Sequence, residues 1–143
     1  LPVARPQAPA LAAGDLRGHK HRLRDYRGEV VVVTFWATWC PPCREELPSM
    51  NRAAAALREA GVHFLGINAG EDRATVEAFL EEHPVDFPVV LDGDLALSEA
   101  WQADGLPATF VIGPRGRIAL QAMGARQWDA PALLERLRKL AAE

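Results

Sequence analysis

The residues able to do chemistry in this chain are its two cysteines, held in the run Trp39-Cys40-Pro41-Pro42-Cys43. Two thiols separated by two residues can close a disulfide and can exchange it with another. The run follows Val30-Val31-Val32-Val33-Thr34-Phe35-Trp36, a stretch of strand formers, and precedes a segment that reads as a helix. At such a junction the first sulfur sits at a helix N-terminus, where the dipole and free backbone donors favour a thiolate. Cys40 is therefore the expected nucleophile, exposed at the helix start. Cys43, one turn on and more covered, is expected to resolve the mixed disulfide. The expected chemistry is thiol–disulfide exchange, with the Cys40–Cys43 disulfide as redox centre and no separate cofactor. A structural staple is the plainer reading of two cysteines, but it requires neither Trp39 nor a helix junction. Zinc would need two further ligands. His19, His21, His63 and His83 show no ligand-type spacing, and no metal is expected.

Pro41 and Pro42 matter through what they lack. Neither has a backbone N–H. A thiolate on Cys40 loses two nearby donors, which favours the disulfide over the reduced form and predicts a reducing couple. Glu46 lies three residues after Cys43, on the same side of the helix. A carboxylate there could accept the Cys43 proton as Cys43 attacks the mixed disulfide, and an apolar wall would raise its pKa to suit. The plainer reading is that acids favour the first turns of helices, which also covers Glu45.

Several function classes are excluded by composition. The 143 residues suggest one domain, and 49% hydrophobic content supports a core that does not need a disulfide to fold. Net charge is −3 with acids and bases mixed, and there is no basic tract for nucleic acid. No apolar stretch is long enough to span a membrane. The chain begins at Leu1, and its first ten residues are rich in Pro and Ala. Residues 1–14 are expected to be a linker, either to an upstream anchor or signal segment or as an ordinary frayed terminus, with the domain proper over 15–143.

The elements that must position the cysteines read as follows. Leu16 to Leu23 suggests a short hairpin or extended entry, and Arg24 to Gly28 a turn or single helical turn. Val30 to Trp36 is unbroken rather than alternating, as in a strand covered on both faces. A helix is expected from Cys43 to Ala60, kinked by Pro48 and stopped by Gly61. Val62 to Asn68 is a strand, Glu71 to Glu82 an amphipathic helix, and Phe87 to Leu91 a short extended piece. Asp94 is expected to cap a helix from Leu95 to Ala103, ended by Gly105. Pro107 to Ile112 and Arg117 to Gln121 form a hairpin around Gly113-Pro114-Arg115-Gly116. Asp129 is expected to cap the last helix, with Leu133, Leu134, Leu137 and Leu140 facing the core. Strands alternating with helices predict an α/β three-layer sandwich. Trp36 is read as core or groove wall, Trp101 and Trp128 as core or helix-packing residues, and Trp39 as a shield for the disulfide that shapes the docking face.

The stretch from Val32 to Pro48, with Trp39-Cys40-Pro41-Pro42-Cys43 and Pro48, resembles the TlpA/ResA-like branch of the thioredoxin superfamily, as does Gly105-Leu106-Pro107-Ala108-Thr109-Phe110. The resemblance implies a thioredoxin-like sandwich: a central mixed sheet flanked by helices, with an N-terminal hairpin and a central insertion. It implies that Glu46 is the family's functional glutamate and that Glu71 matches a second acid. Thr34 stands where thioredoxin itself has a buried aspartate, so that proton acceptor is missing here. Pro107 matches the proline that is cis throughout the superfamily. It would place Leu106 backbone groups beside the disulfide to pair with an extended substrate, with Trp39, Pro41 and Pro42 completing the docking face. From the residues alone, a trans proline opening an edge strand is the alternative.

The same resemblance implies a periplasmic or extracytoplasmic reductant of protein disulfides, often tethered by its N-terminus. Apocytochrome c is one such substrate, and a membrane thiol reductase would be the electron donor. A monomer is expected, with no nucleic-acid partner. Disulfide oxidase or isomerase activity is the alternative direction. A peroxidase of peroxiredoxin type needs P-x-x-x-T/S-x-x-C, and Val33 and Ala37 fill those places. A Sco-type copper module needs C-x-x-x-C and a distant histidine, and both are missing. A binding module with an inert disulfide is a third possibility.

Overall fold

In the computed structural model, which describes residues 5–143, the central element is β3 (Val30–Trp36), buried at every residue. Four consecutive valines explain this: β-branched side chains on both faces suit a strand with cover above and below. Ahead of it lie β1 (Ala12–Gly14) and β2 (Lys20–Arg22), a two-stranded antiparallel hairpin, and a single 3₁₀ turn over Leu23–Tyr26. After it come α1 (Pro41–Leu57), β4 (Val62–Ala69), α2 (Arg73–Glu82), β5 (Val89–Asp92), α3 (Ala96–Ala100), β6 (Ala108–Ile112), β7 (Ile118–Met123) and α4 (Pro131–Ala141).

The main sheet has five strands in the order β5-β4-β3-β6-β7. β3, β4 and β5 run parallel; β6 is antiparallel to β3, and β7 to β6. β5, which follows α2, is an edge strand. Two apolar layers sandwich the sheet. One joins Val30, Val32 and Trp36 to α1, α2 and α4 through Met50, Leu57, Val76, Leu137 and Leu140. The other joins Val31, Val33 and Phe35 to Trp101, Phe110 and Leu11. Helices therefore flank the sheet unevenly, three on one face and the short α3 on the other.

The N-terminal segment completes that second face. The linker expected over residues 1–14 is, over its described part, tied to the domain. Leu11 is buried, Ala12–Gly14 is strand, and Ile118 N–H donates to Pro6 O at 2.8 Å along the free edge of β7. Residues 1–4 lie outside the described residues. The sequence shows little core signal here because Leu11 alone carries it.

Two expected caps are corrected. Asp129 does not cap α4, whose N-cap is Ala130; it is held instead by Arg52 Nε at 2.6 Å. α3 is shorter than expected. Asp92, more than Asp94, satisfies its first turn, accepting from Leu97 N and from Ser98 N and Oγ, while Asp94 accepts only from Ala96 N. α1 begins two residues earlier than expected, at Pro41, because proline is well suited to a helix's first positions. It runs through Pro48, continues as a 3₁₀ turn over Arg58–Ala60, and stops at Gly61, whose φ of 78° only glycine adopts easily. No helix among the described residues is long and apolar enough to cross a membrane.

Candidate active site

The two cysteines form a disulfide with their Cα atoms 5.3 Å apart, at the point where β3 hands over to α1. Cys40 is the N-cap of α1, and its Sγ accepts the Cys43 N–H at 3.3 Å. Arg44 N–H is already used by Cys40 O at 3.1 Å. Pro41 and Pro42 contribute no donor, so Cys43 N–H is the one backbone donor of the first turn left for the sulfur. This is the arrangement the sequence predicts.

The exposure of the sulfurs differs from expectation. Cys40 is 3% exposed and Cys43 fully buried, and both belong to the apolar layer beneath α1. In the closed disulfide Cys40 Sγ turns back over the first helical turn, which removes it from the surface. Trp39 is 67% exposed, while Cys40 and Cys43 belong to the buried layer beneath α1. Pro41 and Pro42 are exposed beside it. Trp39 is thus a surface residue flanking the disulfide.

Glu46 is buried, while its neighbour Glu45 is exposed. That contrast separates the two acids, which helix-dipole preference alone would treat alike. Burial pushes the Glu46 carboxyl up to about 7. Hydrogen bonds from the Trp128 indole N–H and the Arg126 backbone N–H, with the Arg126 charge, pull in the opposite direction. Trp128 Nε1 donates to Glu46 Oε1 at 2.5 Å, and Arg126 N donates to the same oxygen at 3.2 Å. Sequence reasoning missed this role of Trp128 and Arg126, which lie some eighty residues away. Ser49, at i+3 from Glu46, was the one available signal: its hydroxyl accepts Trp128 N–H at 3.0 Å.

Glu71 lies at the exit of β4 and is half-buried. It accepts from Thr38 N at 2.8 Å, Thr38 Oγ1 at 2.5 Å and Asn68 Nδ2 at 2.9 Å. It therefore holds the segment between β3 and the disulfide rather than standing free. Thr38 and Asn68 were not singled out from sequence. Thr34 pairs with Thr109 through their hydroxyls at 2.9 Å in the buried centre of the sheet, so no ionisable group lies there.

The Leu106–Pro107 bond is cis. Pro107 is buried and Leu106 half-buried. Ala108 pairs with Phe35, so Pro107 stands at the same end of the sheet as the disulfide. Gly124 N–H donates to Pro107 O at 2.8 Å. The structure thus brings Cys40, Cys43, Trp39, Pro41, Pro42, Leu106 and Pro107 to one end of the sheet, with Glu46 one turn further along α1.

Comparison with known proteins follows the same lines. The sequence profile of the AhpC/TSA family matches residues 4–121. The chain is 41% identical over 111 residues to the thiol-disulfide oxidoreductase ResA of Geobacillus kaustophilus, covering 78% of this chain and 64% of that protein. It is 31% identical over 134 residues to ResA of Bacillus thuringiensis subsp. konkukian, covering 94% of this chain and 76% of the other. A crystal structure from Chlorobium tepidum, proposed to be the thiol:disulfide interchange protein DsbE, superposes with a TM-score of 0.88 at 29% identity. That match covers 97% of this chain and 98% of the other. The chain spans just under two thirds of the length of the first of these relatives.

Proposed function

This chain belongs to the AhpC/TSA family, and from that premise we propose that it is a ResA-like thiol–disulfide oxidoreductase that reduces protein disulfides. The observation that carries the reading is the Cys40–Cys43 disulfide capping α1 with a single first-turn donor available to its sulfur.

In the reduced protein, the Cys40 thiolate attacks a substrate disulfide and one substrate sulfur leaves as thiolate. Cys43 then gives its proton to the Glu46 carboxylate and attacks Cys40 Sγ, and the second substrate sulfur leaves. The substrate gains two electrons and the protein ends as the disulfide. A carboxyl near 7 can hold that proton and return it at neutral pH. Trp39, Pro41, Pro42 and the Leu106–Pro107 segment receive the polypeptide around the cystine.

The compartment and partners extend this reading. A reducing couple is useful where the surroundings oxidise thiols. We place the protein outside the cytoplasm, tethered or free, with a membrane thiol reductase returning electrons to Cys40–Cys43. The haem-site cysteines of apocytochrome c are the substrate class the family resemblance favours. Val33 and Ala37 stand against a peroxidase.

The test is reduction of insulin by the dithiothreitol-reduced protein, together with trapping by Cys43→Ser. Turnover by the parent chain is expected, with accumulation of a mixed disulfide through Cys40 in the variant. Hydrogen peroxide should not be consumed. Failure of both turnover and trapping would remove the exchange reading.

A further inference from the structure

Trp128 reads as a packing residue in the sequence, yet its indole N–H makes the shorter of the two hydrogen bonds to the buried acid. Both bonds land on one atom: Trp128 Nε1 and Arg126 N donate to Glu46 Oε1. Among the described residues Oε2 receives none. The carboxylate is held by one oxygen and open at the other.

The loop from Gly124 to Asp129, between β7 and α4, is fixed to one face of α1 at three successive points. Glu46 takes Trp128 and Arg126. Ser49 Oγ accepts Trp128 N–H at 3.0 Å and lies 2.9 Å from Glu46 O and 3.3 Å from Arg126 O, either of which can take its proton. Arg52 Nε holds Asp129. These residues, at i, i+3 and i+6, share a helix face. At its other end the loop is pinned to Pro107 O by Gly124 N–H. The Arg126 guanidinium turns back onto the carbonyls of Met123, Gly124 and Ala125, while its backbone N–H reaches Glu46.

We propose that Trp128 is a positioning residue that holds Glu46 by Oε1 and leaves Oε2 to take the proton released by Cys43. The proposal rests on the reading of Glu46 as that proton acceptor. A donor aimed at a carboxylate stabilises its charged form, so Trp128 opposes the effect of burial. The other charged or titratable groups around Glu46 are the Cys43 thiol and exposed Glu45 on α1, Arg126 on the loop, and the Arg52–Asp129 pair that spans the two. Beyond them, Glu71 is engaged by Thr38 and Asn68. None of these replaces the indole bond if it is removed.

The experiment uses Trp128→Phe, which keeps the ring packing and deletes the donor, and Ser49→Ala, which frees the loop with less risk to the fold. Two readouts are taken on the full chain. One is the titration of the Glu46 carboxyl by carbon NMR. The other is the pH profile of mixed-disulfide resolution. For Trp128→Phe the Glu46 midpoint should rise by about one unit, the size expected for losing one hydrogen bond to a charged group. Ser49→Ala should move it the same way by less. The kinetic profile should follow with its high-pH plateau kept. An unmoved Glu46 midpoint in both variants, with only stability reduced, would make Trp128 a packing residue and overturn the proposal. A midpoint that moves while the kinetic profile stays put would support the control of Glu46 by Trp128 and overturn the reading of Glu46 as proton acceptor.

Discussion

Cys43 donates its backbone N–H to Cys40 Sγ at 3.3 Å, so the first cysteine caps the helix to which the second belongs. With prolines at the two positions between, no other first-turn donor is free to stabilise a thiolate on Cys40. Pro42→Ala restores one. A hydrogen bond to a charged group is worth about 1.5–3 kcal/mol, and about 1.4 kcal/mol corresponds to roughly 30 mV for a two-electron couple. The variant should therefore be less reducing than the parent by about 30 mV or somewhat more. Equilibration with thiol buffers, followed by tryptophan fluorescence, measures both potentials. An unchanged or more negative value would detach the prolines from the redox poise.

Glu46 makes stability depend on pH in a direction opposite to most carboxylates. Its folded value, about 7, lies above the ordinary 4.5. A raised acid contributes fully below its unfolded value and loses that contribution as pH rises through the folded one. Between about pH 5 and pH 9 the parent chain should lose up to about 3 kcal/mol through this group, by the conversion of about 1.4 kcal/mol per unit. Glu46→Gln, which cannot ionise and can still accept from Trp128, should lack that loss. Urea unfolding of the oxidised proteins at pH 5 and pH 9 compares them. The gap should move in favour of the variant at the higher pH. Parallel curves would mean that burial does not hold the proton on Glu46.

The parts of this molecule that could be read from sequence are those where one local pattern decides the outcome. Val30 to Trp36 comes out residue for residue as β3, because an unbroken β-branched run has few other uses. Cys40 at a helix start and Gly61 at its stop follow from local rules as well. Long-range satisfaction is what stayed hidden. Asp129 looks like a cap but is taken by Arg52, 77 residues earlier. Trp128 looks like core, which it is, while its one polar atom reaches Glu46 across 82 residues. Leu11 sits in a Pro/Ala-rich stretch with no periodicity, yet closes one face of the sheet. Cys40 reads as exposed from its helix-end position, but the closed disulfide turns its sulfur inward.

Glu71 is expected to act through position. Its carboxylate takes Thr38 N, Thr38 Oγ1 and Asn68 Nδ2, which fixes the approach to Cys40. Glu71→Ala removes both carboxylate oxygens, so all three bonds are lost. The cost should be about 1–3 kcal/mol of stability, with slower attack by Cys40. If Glu71 is a positioning group, the pH midpoint of resolution should not move. A shifted midpoint would make Glu71 a partner in proton transfer, which stopped-flow kinetics across pH can read.

Asp15 anchors the hairpin to the edge of the main sheet. Its side chain is 4% exposed and meets His21 Nε2 at 2.6 Å, while Arg17 N and His19 N donate to it at 2.8 and 3.0 Å. The next residue, Leu16, donates its N–H to Val89 O at 3.0 Å on β5. Burial alone would raise the Asp15 carboxyl, but these donors outweigh it and hold it below its ordinary 3.8. A lowered acid gives stability that is present above its unfolded value and lost as pH falls through the folded one. Asp15→Asn should therefore destabilise the protein at pH 7 by about 1–3 kcal/mol. The difference from the parent should shrink as the pH drops below the ordinary carboxylate range. Hydrogen exchange at Leu16 should accelerate together with that of the β1–β2 hairpin, since the bond to Val89 depends on where Asp15 places the chain. A destabilisation that stays constant down to acid pH would assign the effect to lost packing and not to the charge.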